Sequence, residues 1–311
     1  MRVLITGASG YVGRAVVRQL LNDGHVPRLL VHSTKINAPE GAELVRGDLL
    51  DRSSLALATA NTDAVIHLAA LVRVRESFEQ PLRYYEVNVG GTLNVLNVLA
   101  AAHGHVESPP RLVFASTAGV YGAPERQPIG EDHPRVPQNP YASSKLAAED
   151  AVAWAAKAGQ VGAATLRIFN AAGALLPHGD TDDSRLITRT IGAAAGRIEG
   201  VDVFGDGSAV RDFVHVEDIA RAAVLALENC RVGEHDVFNV GATPASVREV
   251  IDTVHRVTGR EPAARQHPAH PGEVRELRAD TTRLRKVLGW QPERSALEDL
   301  VRDQWEFERT R

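Results

Sequence analysis

Residues 1–13 read MRVLITGASGYVG, and the rest of the chain is best understood from this stretch. An apolar run at 3–5 predicts a short buried strand. Gly7, Gly10 and Gly13 follow at a spacing of three, and apolar residues then recur at helical spacing. A strand, a glycine-rich turn and a helix in this order are typical of a dinucleotide site, where the glycines admit the pyrophosphate and the helix N-terminus attracts its charge. The alternative is an ordinary strand-to-helix turn with coincidental glycines.

Composition narrows the class of protein. The chain has 311 residues, 44% of them hydrophobic, and a formal net charge of −4 without a long basic run, which argues against nucleic acid or an anionic membrane as a partner. Its single cysteine, Cys230, excludes an internal disulfide and favours a reducing compartment. No apolar run is long enough to span a bilayer, and strand residues begin at position 3, so we expect no signal peptide and a cytoplasmic protein.

Strand-like and helix-like segments alternate along the first half of the chain. After the first strand, further strands are predicted at 26–32, within 43–51, and at 64–70, 111–117 and 165–170. This alternation predicts an α/β fold with a Rossmann-type doubly wound parallel sheet. The pattern then loosens, and we expect a smaller mixed α/β substrate domain. The predicted division is a dinucleotide-binding domain at 1–171 with 209–241 and a substrate domain at 172–208 with 242–311.

The residues after the second strand bear on the choice between NAD and NADP. Enzymes that prefer NAD usually place an acid there to bind the ribose hydroxyls. This chain has Val-His-Ser-Thr-Lys at 31–35 instead, with Arg28 nearby. Either Arg28, His32 and their neighbours hold a 2′-phosphate, which makes NADP the cofactor, or they are solvated loop residues. Asp48 either binds the adenine amino group or caps the helix that starts near Asp51.

Polar residues mark the ends of later strands. His67 ends an apolar run, and we interpret it as a satisfied core residue rather than a catalyst. Asn88 falls inside a helix predicted over 81–104, where it is either a surface residue or orients a buried turn near the cofactor. Ser116 and Thr117 close the fifth strand, where hydroxyl groups face the crevice in which such sheets bind ligands.

The sequence Tyr-Ala-Ser-Ser-Lys at 141–145 opens a predicted helix. Tyr141 and Lys145 are four residues apart and therefore share one helical face. In a partly dry cleft the lysine charge lowers the pKa of the phenol, which makes the tyrosine a usable general base toward a sugar or alcohol hydroxyl. The pair alone occurs by chance, and it gains weight from the glycine-rich turn and the strand that ends in hydroxyls.

Local signals predict three helix starts in the C-terminal part. Residues 246–249 (Ser-Val-Arg-Glu) and 295–298 (Ser-Ala-Leu-Glu) both predict capping boxes, and Asp280 predicts another cap. His267 and His270 lie in a proline-containing loop without acids or cysteines at ligand spacing, so we expect no metal site there.

Taken together, the motifs resemble those of the extended short-chain dehydrogenases/reductases, in the nucleotide-sugar epimerase branch typified by UDP-galactose 4-epimerase. The resemblance covers nearly the whole chain. The motifs that carry it are TGASGYVG at 6–13, GDLLD at 47–51, HLAA at 67–70, NVGGT at 88–92, FASTAGVYG at 114–122, NPYASSK at 139–145, RIFNAAG at 167–173, DGSAVRDFVHVEDIA at 206–220 and LGWQP at 288–292.

The resemblance implies roles for individual residues. Tyr141 is implied as the acid/base on the sugar hydroxyl, Lys145 as the residue that binds the nicotinamide ribose and tunes Tyr141, and Thr117 as a second hydrogen-bonding partner of that hydroxyl. The implied cofactor-binding residues are Gly7, Ser9, Gly10, Tyr11, Val12, His32, Asp48, Leu49, Leu68, Ala69, Ala70, Asn88, Ala115, Tyr141 and Lys145. The implied substrate-binding residues are Ser116, Thr117, Asn170, Arg185, Leu186 and Arg211. Arg211 also suits a diphosphate on chemical grounds, because a guanidinium grips phosphate oxygens with two bonds.

Departures from related branches sharpen the prediction. The dehydratase branch carries an Asp-Glu pair after the position of Thr117, where this chain has Ala118-Gly119, and the decarboxylase branch has a Glu at position 119. Epimerases often hold the diphosphate with an arginine where this chain has His270, ahead of Glu273, so that contact is weakened or moved.

The leading hypothesis is an NAD(P)-dependent nucleotide-sugar epimerase that inverts C4 of a UDP- or dTDP-hexose by removing and returning a hydride. One alternative is an NADPH-dependent keto-sugar reductase, and another is a cofactor-sensing protein that has lost its chemistry. The resemblance further implies a homodimer in which the helices at 88–104 and 141–157 pair across a two-fold axis.

Overall fold

A computed structural model describes residues 1–34, 36–103, 110–269 and 274–311. The chain divides into two compact units. The first unit comprises Met1–Gly122, Pro134–Ile168 and Ala220–Phe238, and the second comprises Ala123–His133, Phe169–Ile219 and Asn239–Arg311.

The strands are short, as expected for an α/β fold. They are β1 (Arg2–Thr6), β2 (Val26–Val31), β3 (Glu43–Arg46), β4 (Ala64–His67), β5 (Arg111–Thr117), β6 (Gly162–Ile168), β7 (Asn170–Ala172), β8 (Ala174–Leu175), β9 (His178–Gly179), β10 (Val201–Phe204), β11 (Val210–His215), β12 (His235–Val240), β13 (Thr243–Ser246), β14 (Ala264–His267) and β15 (Glu276–Leu277).

The helices fall between these strands. They are α1 (Tyr11–Asn22), α2 (Arg52–Thr59), α3 (Val74–Glu79), α4 (Pro81–Tyr85), α5 (Gly91–His103), α6 (Pro140–Lys157), α7 (Leu186–Ala195), α8 (Val216–Asn229), α9 (Val247–Thr258), α10 (Thr282–Leu288) and α11 (Leu297–Glu308). Among the described residues, no helix combines the length and hydropathy needed to cross a membrane.

The first unit is built on a seven-stranded sheet in the order β12-β6-β5-β4-β1-β2-β3. The pairs β1–β2, β1–β4, β2–β3, β4–β5 and β5–β6 are all parallel. Helices α2, α5 and α6 bury their apolar faces against β1, β4 and β5, with Leu55, Val95 and Val152 wholly enclosed. Each such side chain contributes about 1.5–3 kcal/mol through burial. The predicted Rossmann-type sheet is confirmed.

The helix predicted over 81–104 is interrupted. A five-residue π-helical turn, Glu86–Gly90, separates α4 from α5. Turns of this kind are rare and often occur at functional sites. The periodicity of the sequence does not reveal it, because its cause is tertiary: Asn88 inside the turn is 1% exposed and bonds to other segments.

The second unit contains a small sheet in the order β13-β11-β15, with β7 paired to β11. Its apolar core lies between this sheet and helices α7, α9 and α11. Here the structure differs from the predicted domain division, which placed 209–241 entirely with the first sheet. Residues up to Ile219 belong to the second unit because β11 pairs with β7, β13 and β15.

The capping signals have mixed outcomes. The predicted box at 246–249 is present, with Ser246 and Glu249 bonded reciprocally. Asp280 accepts a bond from the amide of Thr282 at 2.9 Å, but the N-cap of α10 is Thr281 without a side-chain cap, so the prediction of Asp280 as the cap is wrong. The predicted box at 295–298 is wrong: α11 has Ala296 as its N-cap, without a side-chain cap. The Ser295 hydroxyl is taken instead by a tertiary bond to Asp218, at 2.5 Å.

Candidate active site

The glycine-rich turn joins β1 to α1 as predicted. Gly7 has φ +74°, and a Cβ there would lie 2.8 Å from the amide nitrogen of Ala69. A Cβ at Gly13 would overlap the carbonyl oxygen of Gly7. Gly10 closes the turn by donating to the Gly7 carbonyl at 3.0 Å and serves as the N-cap of α1 without a side-chain cap. This cradle, free of side chains and placed at a helix N-terminus, fits the pyrophosphate of a dinucleotide.

The other residues predicted around this turn lie beside it. Ser9 is in the turn, and Tyr11 and Val12 form the first turn of α1. Strand β4 ends at His67, three residues earlier than predicted, so residues 68–70 form a loop. In that loop the amide of Ala69 donates to the Thr6 hydroxyl at 3.2 Å, which holds the loop against the end of β1.

His32 and Asp48 meet at the ends of β2 and β3. The Nε2 atom of His32 lies 3.4 Å from a carboxylate oxygen of Asp48. Asp48 also accepts a bond from the amide of Leu50 at 2.9 Å, whereas Asp51 is the N-cap of α2. The helix-cap alternative for Asp48 is therefore excluded, and its second carboxylate oxygen faces His32.

Arg28 does not take the place that the NADP interpretation gave it. Its guanidinium donates to the carbonyl of Ala60 at 2.7 Å and lies 3.9 Å from Glu43. Lys35, the other cation considered for a 2′-phosphate, lies outside the described residues. Leu49 packs toward Gly91 at the start of α5, where a Cβ would come within 3.1 Å of it.

His67 is a core residue, as predicted. It is 1% exposed and bonds to the hydroxyls of Thr6 at 2.6 Å and Thr92 at 3.1 Å. Burial, together with the nearby charge of Lys145, lowers the pKa of His67 to about 3, so the ring is neutral at physiological pH.

Asn88 links three segments of the first unit. Its side-chain oxygen accepts from the Leu71 amide at 2.8 Å, and its nitrogen donates to the Leu71 carbonyl at 3.0 Å and to the Ser144 hydroxyl at 2.9 Å. Ser144 in turn donates to the carbonyl of Tyr141 at 2.7 Å. Of the two predicted roles for Asn88, the structure therefore supports the orientation of a buried turn. Sequence reasoning missed Ser144, although it lies within the YASSK motif.

The three predicted catalytic residues belong to β5 and α6. Thr117 ends β5, and its hydroxyl accepts from the Gly119 amide at 3.1 Å. Helix α6 begins behind the N-cap Asn139, whose side chain accepts from the Ala142 amide at 2.8 Å. This cap places Tyr141 and Lys145 on the first two turns, one turn apart and on the same face.

The surroundings of Tyr141 and Lys145 are aromatic. Tyr141 is half-buried and packs edge-to-face against Tyr84, with 6.4 Å between ring centroids. Lys145 is 3% exposed, and its ammonium lies 4.1 Å above the centroid of the Phe114 ring. Burial lowers the pKa of Lys145 to about 7, and the Glu149 carboxylate opposes that fall. Sequence reasoning missed Phe114 because it reads as one more apolar strand residue.

Ala115 and Ser116 precede Thr117 on β5. The Ser116 hydroxyl is buried and has no hydrogen-bond partner within the described part of the chain. Buried polar groups are normally satisfied, so an unpaired hydroxyl beside Thr117 fits a site that is completed by a ligand.

The predicted substrate residues of the second unit lie on its sheet and at the start of α7. Asn170 opens β7, not the end of β6 as predicted, and donates to the carbonyl of Asp212 at 2.8 Å. Arg211 on β11 donates to the carbonyls of Val210 and Val274, each at 2.9 Å. Strand β7 pairs with β11, so Asn170 and Arg211 lie on adjacent strands.

Arg185 and Leu186 begin α7. Arg185 is the N-cap, and its guanidinium pairs with the buried carboxylate of Asp180 at 3.0 Å. Leu186 packs, partly buried, against the core of the second unit. His270 and Glu273 lie outside the described residues. Within the described residues, no group of three or more histidine, cysteine or acidic side chains is placed to hold a metal ion.

Comparison with known proteins places this geometry in a family. Residues 3–241 match the model of the NAD dependent epimerase/dehydratase family. The chain belongs to this family, and the predicted resemblance to the extended short-chain dehydrogenases/reductases is confirmed.

Individual relatives are similar over their whole length. The chain is 36% identical over 319 residues to UDP-glucose 4-epimerase of Corynebacterium glutamicum, covering 99% of this chain and 95% of that protein. It superimposes with a TM-score of 0.91 on UDP-glucose 4-epimerase from Brucella ovis in complex with NAD, at 33% identity and 98% coverage of both chains. The enzyme from Bifidobacterium longum, solved with NAD+ and UDP, gives a TM-score of 0.88 at 28% identity, with 100% of this chain and 98% of that one covered.

Proposed function

We propose that this chain is an NAD-dependent 4-epimerase of UDP-hexoses. The observation that carries the proposal is the pair Tyr141 and Lys145 on the first turns of α6, with the lysine buried over Phe114. A buried ammonium one helical turn from a phenol favours the phenolate, which a base that removes a proton from a sugar hydroxyl needs. The whole-length similarity to UDP-glucose 4-epimerases supports the choice of reaction.

In this proposal each polar residue has a separate task. Tyr141 takes the proton from the 4-hydroxyl and later returns it, while Thr117 hydrogen-bonds the same oxygen. Lys145 keeps the phenolate charge stabilised, and Asn88 and Ser144 fix the turn of α6 that carries Tyr141. The bound nicotinamide supplies the acceptor and donor of the C4 hydride. Positioning of the two reactants and proton transfer are the contributions of the protein.

NAD is the cofactor that the described residues fit better. Asp48 brings a carboxylate to within 3.4 Å of His32, and Arg28 is engaged with Ala60. A carboxylate at this place repels the negative charge of a 2′-phosphate. Asn170, Arg185, Leu186 and Arg211 remain the proposed contacts of the nucleotide sugar.

The decisive experiment follows the anomeric proton signals of UDP-galactose by NMR during incubation with the protein and NAD. We expect interconversion with UDP-glucose, retention of a deuterium label at C4 and no net change in NADH. Tyr141→Phe should lower the rate by at least about 100-fold, since it removes the general base. Tyr85→Phe is the matched control, because Tyr85 is an exposed tyrosine of the same unit.

The same experiment separates the alternatives. Stoichiometric consumption of NADPH with a 4-keto sugar would identify a reductase. Binding of NAD without turnover of UDP- or dTDP-hexoses would identify a sensor.

We also propose that the protein is a homodimer in a reducing, cytoplasmic compartment. Helices α5 and α6 pack side by side and leave an open groove lined by Leu93, Leu96, Ala151 and Trp154. Trp154 is 67% exposed and Leu93 44% exposed. Apolar side chains of this size in one groove are typical of an interface. The single cysteine, Cys230, is buried and has no second cysteine in the chain to form a disulfide with, which accords with the proposed compartment.

A further inference from the structure

A buried ion pair lies one turn beyond Lys145 on α6. Glu149 is 1% exposed and Arg167, on β6, is 3% exposed. The Nε atom of Arg167 lies 3.2 Å from both carboxylate oxygens of Glu149, and its Nη2 atom lies 2.9 Å from one of them. The hydroxyl of Tyr121 accepts a further bond from Arg167 at 2.8 Å. Three bonds hold the carboxylate of Glu149 against Arg167, and the bond to Tyr121 fixes the guanidinium in place.

Burying an arginine–glutamate pair is expensive, because desolvation of the two ions offsets much of their attraction. A pair of apolar side chains would fill the same space at lower cost. The pair is therefore weakly explained by stability alone, and its position beside Lys145 suggests a second role.

Lys145 and Glu149 are related as i and i+4 on one helix, the spacing at which side chains of opposite charge interact. The Glu149 carboxylate favours the charged form of Lys145 against the burial that disfavours it. Other titratable groups near this pair are Tyr141, Arg167 with Tyr121 bonded to it, the neutral ring of His67 on β4 and, at the far side of Glu149, His235 on β12 and Arg135. Burial lowers the pKa of His235, which bonds to Thr165.

We propose that Glu149 is a positioning residue for the reaction: its carboxylate, locked by Arg167, keeps Lys145 charged beside Tyr141. The proposal rests on the proposed role of Tyr141 as the base. Arg167 acts in the opposite direction, because its own positive charge weakens the effect of Glu149 on the lysine. Glu149 and Arg167 therefore act on the protonation of Lys145 in opposite directions, and their net effect sets its charge.

The balance predicts shifts of opposite sign for two variants. In Glu149→Gln, Lys145 faces Arg167 without the carboxylate, so it loses its proton at lower pH. The alkaline limb of the kcat profile should move down by about one pH unit, and ionisation of Tyr141 should need a correspondingly higher pH. In Arg167→Met the carboxylate loses its closest cation while Arg135 remains 3.7 Å away, so it acts more strongly on Lys145 and both effects should reverse.

Two readouts make the test. The first is kcat for UDP-galactose epimerisation against pH at saturating NAD. The second is the ultraviolet phenolate titration of the NAD-loaded protein, taken as the difference from the same variant carrying Tyr141→Phe. Asp150→Asn is the matched control, since it removes a neighbouring carboxylate of α6 that is exposed and paired with Arg135, and we expect it to leave both readouts unchanged.

The outcomes separate the explanations. Shifts of the kcat profile and of the phenolate titration in opposite directions for the two variants support the proposal. If one variant does not fold, the direction of the shift in the other variant decides. Shifts of the same sign, or loss of activity with an unchanged pH profile, would mean that the pair is only structural and would overturn the proposal. Because the phenolate titration needs no sugar, opposite shifts in a protein without epimerase activity would refute the proposed function and leave this inference standing.

Discussion

The ammonium nitrogen of Lys145 lies 4.1 Å above the centroid of the Phe114 ring. The lysine comes from α6 and the ring from β5, so the contact joins the helix of the proposed base to the central sheet. A cation over an aromatic face in a buried site gains about 2 kcal/mol. This attraction offsets part of the cost of keeping a charge that water does not reach.

Replacing Phe114 by leucine tests this contact. Phe114→Leu removes the ring face, so the pKa of Lys145 should fall below about 7 and the alkaline limb of kcat should move down by about one pH unit. Activity at pH 8 should drop several-fold while activity at about pH 5 changes little. Phe78→Leu, at an exposed position in the same unit, is the control. An unchanged profile would contradict the role given to the ring.

A methyl group at Gly13 should abolish cofactor binding. Gly13→Ala places a Cβ against the carbonyl oxygen of Gly7, which must move and thereby distort the turn that receives the pyrophosphate. We expect at least a 100-fold rise in the Kd for NAD by calorimetry, together with a lower Tm. Gly90→Ala is the matched control, because a Cβ there meets only Leu50 at 4.0 Å. Equal NAD affinity in both variants would exclude the turn as the pyrophosphate site.

Removal of the Asn88 side chain should affect stability and rate together. Asn88→Ala leaves the amide and carbonyl of Leu71 and the hydroxyl of Ser144 without their partner, at a cost of about 2–4 kcal/mol. Since Ser144 also bonds to the Tyr141 carbonyl, kcat should fall by about 10-fold or more. Urea unfolding and initial rates measure the two effects. Asn94→Ala removes a single bond to the Leu49 carbonyl, so it should lower both the free energy of unfolding and kcat by less.

Burial of His67 should make the protein sensitive to acid. The pKa of His67 is about 3 in the fold against 6.5 in an unfolded chain, so between these values the unfolded state binds one more proton. The contribution is complete above pH 6.5 and declines as the pH falls toward 3, by about 1.4 kcal/mol per pH unit. His67→Gln should have a lower free energy of unfolding near neutral pH, and this free energy should change less between pH 6.5 and pH 3. Chemical unfolding at several pH values checks the slope, with the exposed His32→Gln as a control.

A charge in the groove between α5 and α6 should prevent dimerisation. Trp154→Glu introduces a carboxylate at a side chain that is 67% exposed, and a partner chain would have to bury it. Light scattering at micromolar concentration should give a dimer for the unchanged protein and a monomer for the variant. Leu57→Glu, at a leucine of α2 that is 71% exposed, should remain dimeric. A monomeric unchanged protein would refute the proposed assembly.

Local patterns were enough to predict the parallel sheet and the positions of most of the candidate site. Alternating strand and helix patterns, the glycines at 7, 10 and 13, and the Tyr141–Lys145 spacing depend on neighbouring residues only, and these features appear in the structure as predicted. The capping box at Ser246 was predictable for the same reason, because both of its partners lie within one turn.

Features that depend on residues distant in sequence could be recognised only from the tertiary structure. The π-helical turn at Asn88 exists because its amide bonds to Leu71 and Ser144, and Ser295 is not a cap because Asp218 takes its hydroxyl. Likewise, the burial that lowers the pKa of Lys145 and the Phe114 ring beneath its ammonium both come from other elements of the fold. Hydrogen bonding and desolvation act through space, and a pattern of neighbouring residues carries no record of which distant group will be close by.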